Sequence, residues 1–153
     1  MFTMNLQDRI WMQYALILAD EAKYYGEVPV GAILIFDNRI IGSGFNSCIN
    51  NHDPTAHAEI IALKEGGKIV KNYRLLNTTL YVTLEPCIMC LGAILNSRIK
   101  RLVIGTKYNS QKKKKYEILN ILKIIKKKMK MDESISLKNC INIIKNFFKL
   151  KRY

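Results

Sequence analysis

Two cysteines and a histidine are the residues of this chain best suited to chemistry. Cys87 and Cys90 form a Cys-x-x-Cys directly after Pro86. Taken alone, such a pair is open between a metal site, a redox couple and chance. On a helix the i, i+3 spacing puts both sulfurs on one face. At a helix start the unpaired N–H groups and the dipole favour thiolates, the form zinc binds. A structural zinc site is closed by four protein ligands. No second Cys-x-x-Cys is present, and Cys48 and Cys140 are isolated and read as small buried apolar residues. His57, in the run His57-Ala58-Glu59, starts another helix. By itself it reads as a capping or packing residue; beside a thiolate pair it completes a three-ligand set. Zinc with three protein ligands keeps an open position for water, whose pKa it lowers to about 7. Glu59 could then shuttle the protons that hydrolysis requires, or simply complement the helix dipole as a first-turn carboxylate. One difficulty stands: residues i and i+2 lie about 200° apart on an ideal helix, so spacing alone does not unite His57 and Glu59. His52 reads as a loop residue ahead of the N-cap.

The elements that must position these groups follow from periodicity. Leu6, Ile10, Tyr14, Ile17, Leu18 and Ala22 recur at helical spacing and predict a helix over 5–24, ended by Gly26. Val28–Asp37 and Arg39–Asn46 read as a hairpin turning at Asp37-Asn38. Asp53-Pro54 gives an N-cap and a first-position proline for a helix over 54–65, stopped by Gly66-Gly67. A buried strand follows at Thr79–Leu84. Pro86 opens a helix to Ser97, and Arg101–Gly105 is a further strand. Residues 117–128 have helical periodicity, and Lys128–Met131 reads as a short edge strand. A terminal helix over Leu137 to Lys151 carries Leu137, Ile141, Ile144 and Phe148 on one face. Strands interleaved with helices predict a three-layer α/β/α sandwich, and 153 residues predict one domain with a basic helical segment from about 106.

Charge is divided unevenly. Residues 1–99 hold eight Lys+Arg and nine Asp+Glu, a net of −1, whereas residues 100–153 hold 17 and three, a net of +14. The total of +13 suggests a polyanionic partner such as nucleic acid. Compositional drift toward Lys, Ile and Asn explains it equally well. No span approaches the ~18 apolar residues of a membrane helix, and Asp8 and Arg9 preclude a signal-peptide h-region. The expectation is a soluble, cytoplasmic protein.

His57-Ala58-Glu59 together with Pro86-Cys87-x-x-Cys90 matches the signature of zinc nucleobase deaminases. Longer runs resemble the bacterial tRNA-specific adenosine deaminase family: Glu27-Val28-Pro29-Val30-Gly31-Ala32, Asn51 through Ile60, Asn72-Tyr73-Arg74-Leu75, Thr79 through Cys90, and Ser97-Arg98-Ile99. The resemblance runs from about residue 10 to Gly105 and returns at Phe147 through Arg152. It implies hydrolytic deamination of adenosine to inosine at the wobble position of a tRNA anticodon, most often the arginine tRNA. It also implies a cytidine-deaminase-like fold with a mixed sheet of about five strands, one zinc per subunit and a homodimer. By the same resemblance His57, Cys87 and Cys90 hold zinc, and Glu59 is the general acid/base for water attacking C6 of a flipped-out adenine. Asn46 contacts the target base, Val30 lines an apolar pocket wall, and Phe148 lies near the anticodon loop. Lys149, Lys151 and Arg152 meet phosphates. Without the resemblance, Asn46 reads equally as a turn residue and Phe148 as core. The stretch after Gly105 departs from the family, with Tyr108 where an Asp is common and Lys112–Lys115 in place of small residues. Two other functions are weighed: a zinc deaminase of a free base such as guanine or cytosine, and a non-catalytic zinc-stabilised RNA-binding protein.

Overall fold

The turn Asp37-Asn38 takes left-handed values at both positions (φ 46° and 57°), the backbone that joins two strands with matching twist. It connects β1 (Gly31–Phe36) to β2 (Arg39–Phe45). The computed structural model describes residues 5–107, 115–132 and 138–151, with the side chains of 115–119 outside that description. Within these residues the order is α1 (Leu6–Tyr24), β1, β2, α2 (Ala58–Val70), β3 (Thr79–Leu84), α3 (Ile88–Ser97), β4 (Arg101–Thr106), α4 (Lys115–Lys128), β5 (Lys130–Asp132) and α5 (Lys138–Leu150). One five-stranded sheet, ordered β2-β1-β3-β4-β5, organises them. β1 is antiparallel to β2 and β3, while β3, β4 and β5 are parallel. Parallel neighbours need crossovers, which α3 and α4 provide. α1 and α5 pack together on one face, and α2 and α3 on the other, with α4 against α3. Leu34, Leu80, Val82, Leu102 and Ile104 fill the centre and are fully buried. The expected three-layer α/β/α arrangement around a mixed sheet is thus observed.

Several local expectations are corrected. Leu6, Ile10, Tyr14 and Ile17 of α1 face solvent. The sheet is met instead by the adjacent stripe Met12, Ala15, Leu16, Ala19 and Ala22. Its small residues allow close approach, and a Cβ at Gly31 would collide with the backbone of Ala15 and Ala19. Asp8 lies on that same buried stripe because it binds Arg101 and Tyr81. The helix expected over 54–65 begins only at Ala58, since Asp53 turns back to accept from the N–H and hydroxyl of Thr55 (2.8 and 2.7 Å). Gly66-Gly67 do not stop it. A Cβ at Gly66 would strike Leu34, so the glycine serves packing, and the helix ends at Lys71 (φ 54°).

Pro86 lies outside α3, which has Cys87 at its N-cap. The strand expected at 128–131 is shifted to 130–132 because α4 retains Lys128. On α5 the buried residues are Cys140, Ile143, Ile144 and Phe147, whereas Ile141 and Phe148 are half-buried at the flank. Cys140 is buried as expected, and Cys48 only half so. Tyr108, Lys112–Lys114, Leu137 and Arg152 lie outside the described residues. No helix among the described residues is long and apolar enough to cross a membrane.

Candidate active site and metal centre

Two helix starts converge at one end of the sheet. β3 ends at Leu84 and the chain turns through Glu85-Pro86 to place Cys87 as the N-cap of α3, with Cys90 one turn in. His57 is the N-cap of α2 and has extended backbone (φ −78°, ψ 152°). Because it stands outside the helix, the angular separation of ideal i, i+2 residues does not apply to His57 and Glu59. The His57 Nδ1 lies 3.6 Å from the Cys87 Sγ and 3.5 Å from the Cys90 Sγ. Among the described residues these three form the group whose ligand atoms lie together, all within 4.8 Å.

This group fits zinc. Bonds of about 2.3 Å to sulfur and about 2.0–2.1 Å to nitrogen, at tetrahedral angles, put the two ligand atoms about 3.6 Å apart. The observed separations agree, and a thiolate pair with one imidazole is a soft set that zinc favours. With three ligands the set leaves a position for water. The Cys90 thiol donates to Cys87, holding Cys87 down at about 5, helped by the amides of Cys90 and Met89 and by His57. The same bond, with burial, pushes Cys90 up. A bound divalent ion would ionise both.

Glu59, in the first turn of α2, is almost fully buried. Burial pushes its carboxyl up to about 7, and Cys87 adds to this, while its own N–H, His57 and the Cys90 thiol oppose it. A carboxyl held against the metal-ligand set can exchange protons with a water in the open position.

Asn46 ties this end together. Its Oδ1 accepts from the Ala58 N–H at the start of α2 and its Nδ2 donates to the Val28 carbonyl, both at 3.0 Å. Its backbone N–H donates to the carbonyl of Val30, itself buried. An amide offers two donor and two acceptor positions, so one of each remains. The structure therefore brings His57, Glu59, Cys87 and Cys90 together, with Asn46 and Val30 joined to them through α2. Phe148 belongs to α5 and rests edge-on against Phe147 at 5.4 Å, and His52 is an exposed turn residue (φ 50°) outside the cluster.

Sequence reasoning missed Glu27. This buried carboxylate accepts from the N–H groups of Ile49 and Asn50 (2.8 and 2.9 Å) and from the Asn50 side chain (2.9 Å). It anchors the loop that leaves Asn46. The only sign of it in the sequence was its place in the run Glu27 to Ala32.

The MafB19-like deaminase family profile matches residues 6–152. A tRNA-specific adenosine deaminase of Buchnera aphidicola subsp. Schizaphis graminum is 54% identical over 147 residues, covering 96% of this chain and 97% of that protein. A chain solved in studies of A-to-I editing by tRNA:A34 deaminases at the wobble position of transfer RNA is 41% identical. It has a TM-score of 0.64 and covers 65% of this chain and 77% of that one. A guanine deaminase from Nitrosomonas europaea superposes with a TM-score of 0.80 at 18% identity, covering 96% and 86%, which establishes the common fold. The fold is therefore the cytidine-deaminase-like α/β/α sandwich, and the chain belongs to the MafB19-like deaminases and, among them, to the tRNA-specific adenosine deaminases.

Proposed function

We propose that this protein performs zinc-dependent hydrolytic deamination of adenosine to inosine at the wobble position, 34, of a tRNA anticodon, with arginine tRNA as substrate. The observation that carries the reading is the meeting of His57 Nδ1 with both cysteine sulfurs at 3.5–3.6 Å beside the buried Glu59. The names of the relatives supply the substrate class.

His57, Cys87 and Cys90 would hold one zinc per subunit. When bound, zinc supplies a water of near-neutral pKa. Glu59 is placed to take a proton from the water whose oxygen bonds to C6 and to pass it to a ring nitrogen of adenine. It then carries the second water proton to the departing amine, so that adenosine and water become inosine and ammonia. Asn46 offers its remaining N–H and lone pair to the base, and Val30 walls the base pocket. Phe148, with exposed Lys149 and Lys151, meets the anticodon stem-loop. The chain acts as a cytoplasmic homodimer. Exposed Ile88 and Met89, at the start of α3, favour a partner subunit over that face.

The decisive experiment is to incubate zinc-loaded protein with bulk tRNA and sequence the products. Adenosine read as guanosine at position 34 of arginine tRNA is the expected result. Turnover of free guanine or cytosine with tRNA untouched would replace this reading by a small-molecule deaminase. Stoichiometric zinc with neither activity would leave a non-catalytic RNA-binding protein.

A further inference from the structure

At the end of β3 opposite Cys87 the chain builds a cavity of about 630 Å³. Its walls come from the starts of three parallel strands: Leu76-Asn77 before β3, Arg98 to Lys100 before β4, and Lys126 to Met129 before β5 with Lys130 as its first residue. Among the described residues, six of the ten that line it are basic and none is acidic. A strand of six residues, about 20 Å, separates this cavity from the metal-ligand end.

Two bland accounts fall short. Lys126, Lys127 and Lys128 occupy the last turn of α4, where cations complement the dipole. Arg98, the C-cap of α3, is placed to complement that helix's dipole in the same way, but Lys100 lies beyond both helices and gains from neither. Compositional drift would scatter lysines, whereas two segments distant in sequence, 98–100 and 126–130, direct their basic residues to one place. The floor is rigid: the N–H of Lys100 bonds Thr78 (3.0 Å) and that of Lys130 bonds Lys100 (3.1 Å). Lys130 is partly neutralised by Asp132 at 3.7 Å, a residue shared with Arg101. Arg98, Lys100, Lys127 and Lys128, all exposed, stand round an opening that no carboxylate of the described residues lines.

We infer that this cavity binds the phosphodiester backbone of RNA, at a place remote from the base being deaminated. Converging cations at an open concavity release counterions when phosphates enter, which is the main source of sequence-independent RNA affinity. The proposed function enters only in the choice of RNA over other polyanions.

The test compares zinc-loaded protein with the variant Arg98→Gln/Lys100→Gln/Lys127→Gln/Lys128→Gln for binding to full-length tRNA across a salt titration. At about 0.7–0.9 per phosphate contact, the slope of log affinity against log salt should flatten by about 3, so about 60-fold of the affinity loss between 50 and 200 mM disappears. Deamination of an isolated anticodon stem-loop should be unchanged, and Arg98→Lys/Lys100→Arg/Lys127→Arg/Lys128→Arg should restore the slope. Equal slopes for wild type and Gln variant overturn the inference. So does unaltered tRNA binding with variant-sensitive binding to phosphatidylserine vesicles, which would assign the cavity to lipid. Wild-type protein that fails to deaminate the stem-loop, yet shows the slope change, refutes the proposed activity and supports this site.

Discussion

Replacing Asn46 by alanine and by aspartate separates its hold on the start of α2 from the contact with the base proposed for it. The amide makes two hydrogen bonds of 3.0 Å at a position only 9% exposed. Alanine leaves the Ala58 N–H and the Val28 carbonyl without those partners in a largely buried setting. At about 1–1.5 kcal/mol for each, the expected loss is about 2–3 kcal/mol. For a chain of this size that is a fall of about 4–12 °C in Tm. Aspartate differs: its carboxylate still accepts from Ala58 at a helix N-terminus, a favourable place for negative charge, but cannot donate to Val28. The Asn46→Asp protein should therefore lose about 1 kcal/mol and, having no amide to offer, should deaminate the stem-loop at least tenfold more slowly. Thermal melts of the zinc-loaded variants, with single-turnover deamination below Tm, give both quantities. An alanine variant as stable as wild type would show that the two hydrogen bonds do not hold α2 in place. Full activity of the aspartate variant would remove Asn46 from base recognition.

Other expectations follow from the same geometry. Glu59→Gln should lower turnover by about 10²–10⁴-fold while zinc, measured by atomic emission, stays near one per chain; undiminished turnover would refute the proton-shuttle role. Stripping metal with a chelator should lower Tm and abolish deamination, with zinc restoring both, because His57, Cys87 and Cys90 join two helix starts; an unchanged melt would mean that the three residues bind no ion. The Arg101 guanidinium, which donates to Asp8 at 2.7 and 2.9 Å, holds the Asp8 carboxyl below its usual value of 3.8, assisted by Tyr81. A lowered folded pKa adds stability that is complete above the unfolded value and lost as pH falls through the folded one. Asp8→Asn should thus destabilise by about 3 kcal/mol at neutral pH, and its difference from wild type should shrink in urea melts below about pH 4; a gap constant down to pH 2 would refute the assignment.

The site was legible where chemistry is local. Cys87 and Cys90 share one turn, so residue type and spacing paired them and offered His57 as a third ligand; Glu59 joined them only through the likeness to the deaminase signature. Boundaries failed where distant residues decide. Asp53-Pro54 looks like a helix start, but the helix waits for Ala58, whose N–H is taken by Asn46, twelve residues earlier. Of two adjacent apolar stripes on α1, the one that meets the sheet is selected by Gly31, and the sequence shows both as equally periodic. Glu27 and Asp8 were invisible as structural carboxylates because their partners lie 22 and 93 residues away. The likeness to the deaminase runs placed Asn46 and Val30 near the site but gave no sign that Asn46 also caps α2.

The residue that ends α2 has a consequence for how this sequence can change. Lys71 holds a left-handed backbone (φ 54°, ψ 37°) with its N–H bonded to Gly67, a conformation that costs a side-chain-bearing residue about 1 kcal/mol relative to glycine. It stands at the far end of a 13-residue helix from His57, about 20 Å from the chemistry. A glycine there would relieve the strain without touching a ligand, the base pocket or the cationic cavity. Position 71 is thus a natural second-site suppressor: a lineage that weakens the α2 start at Asn46 can recover a third to a half of the lost stability at the other end of the same helix.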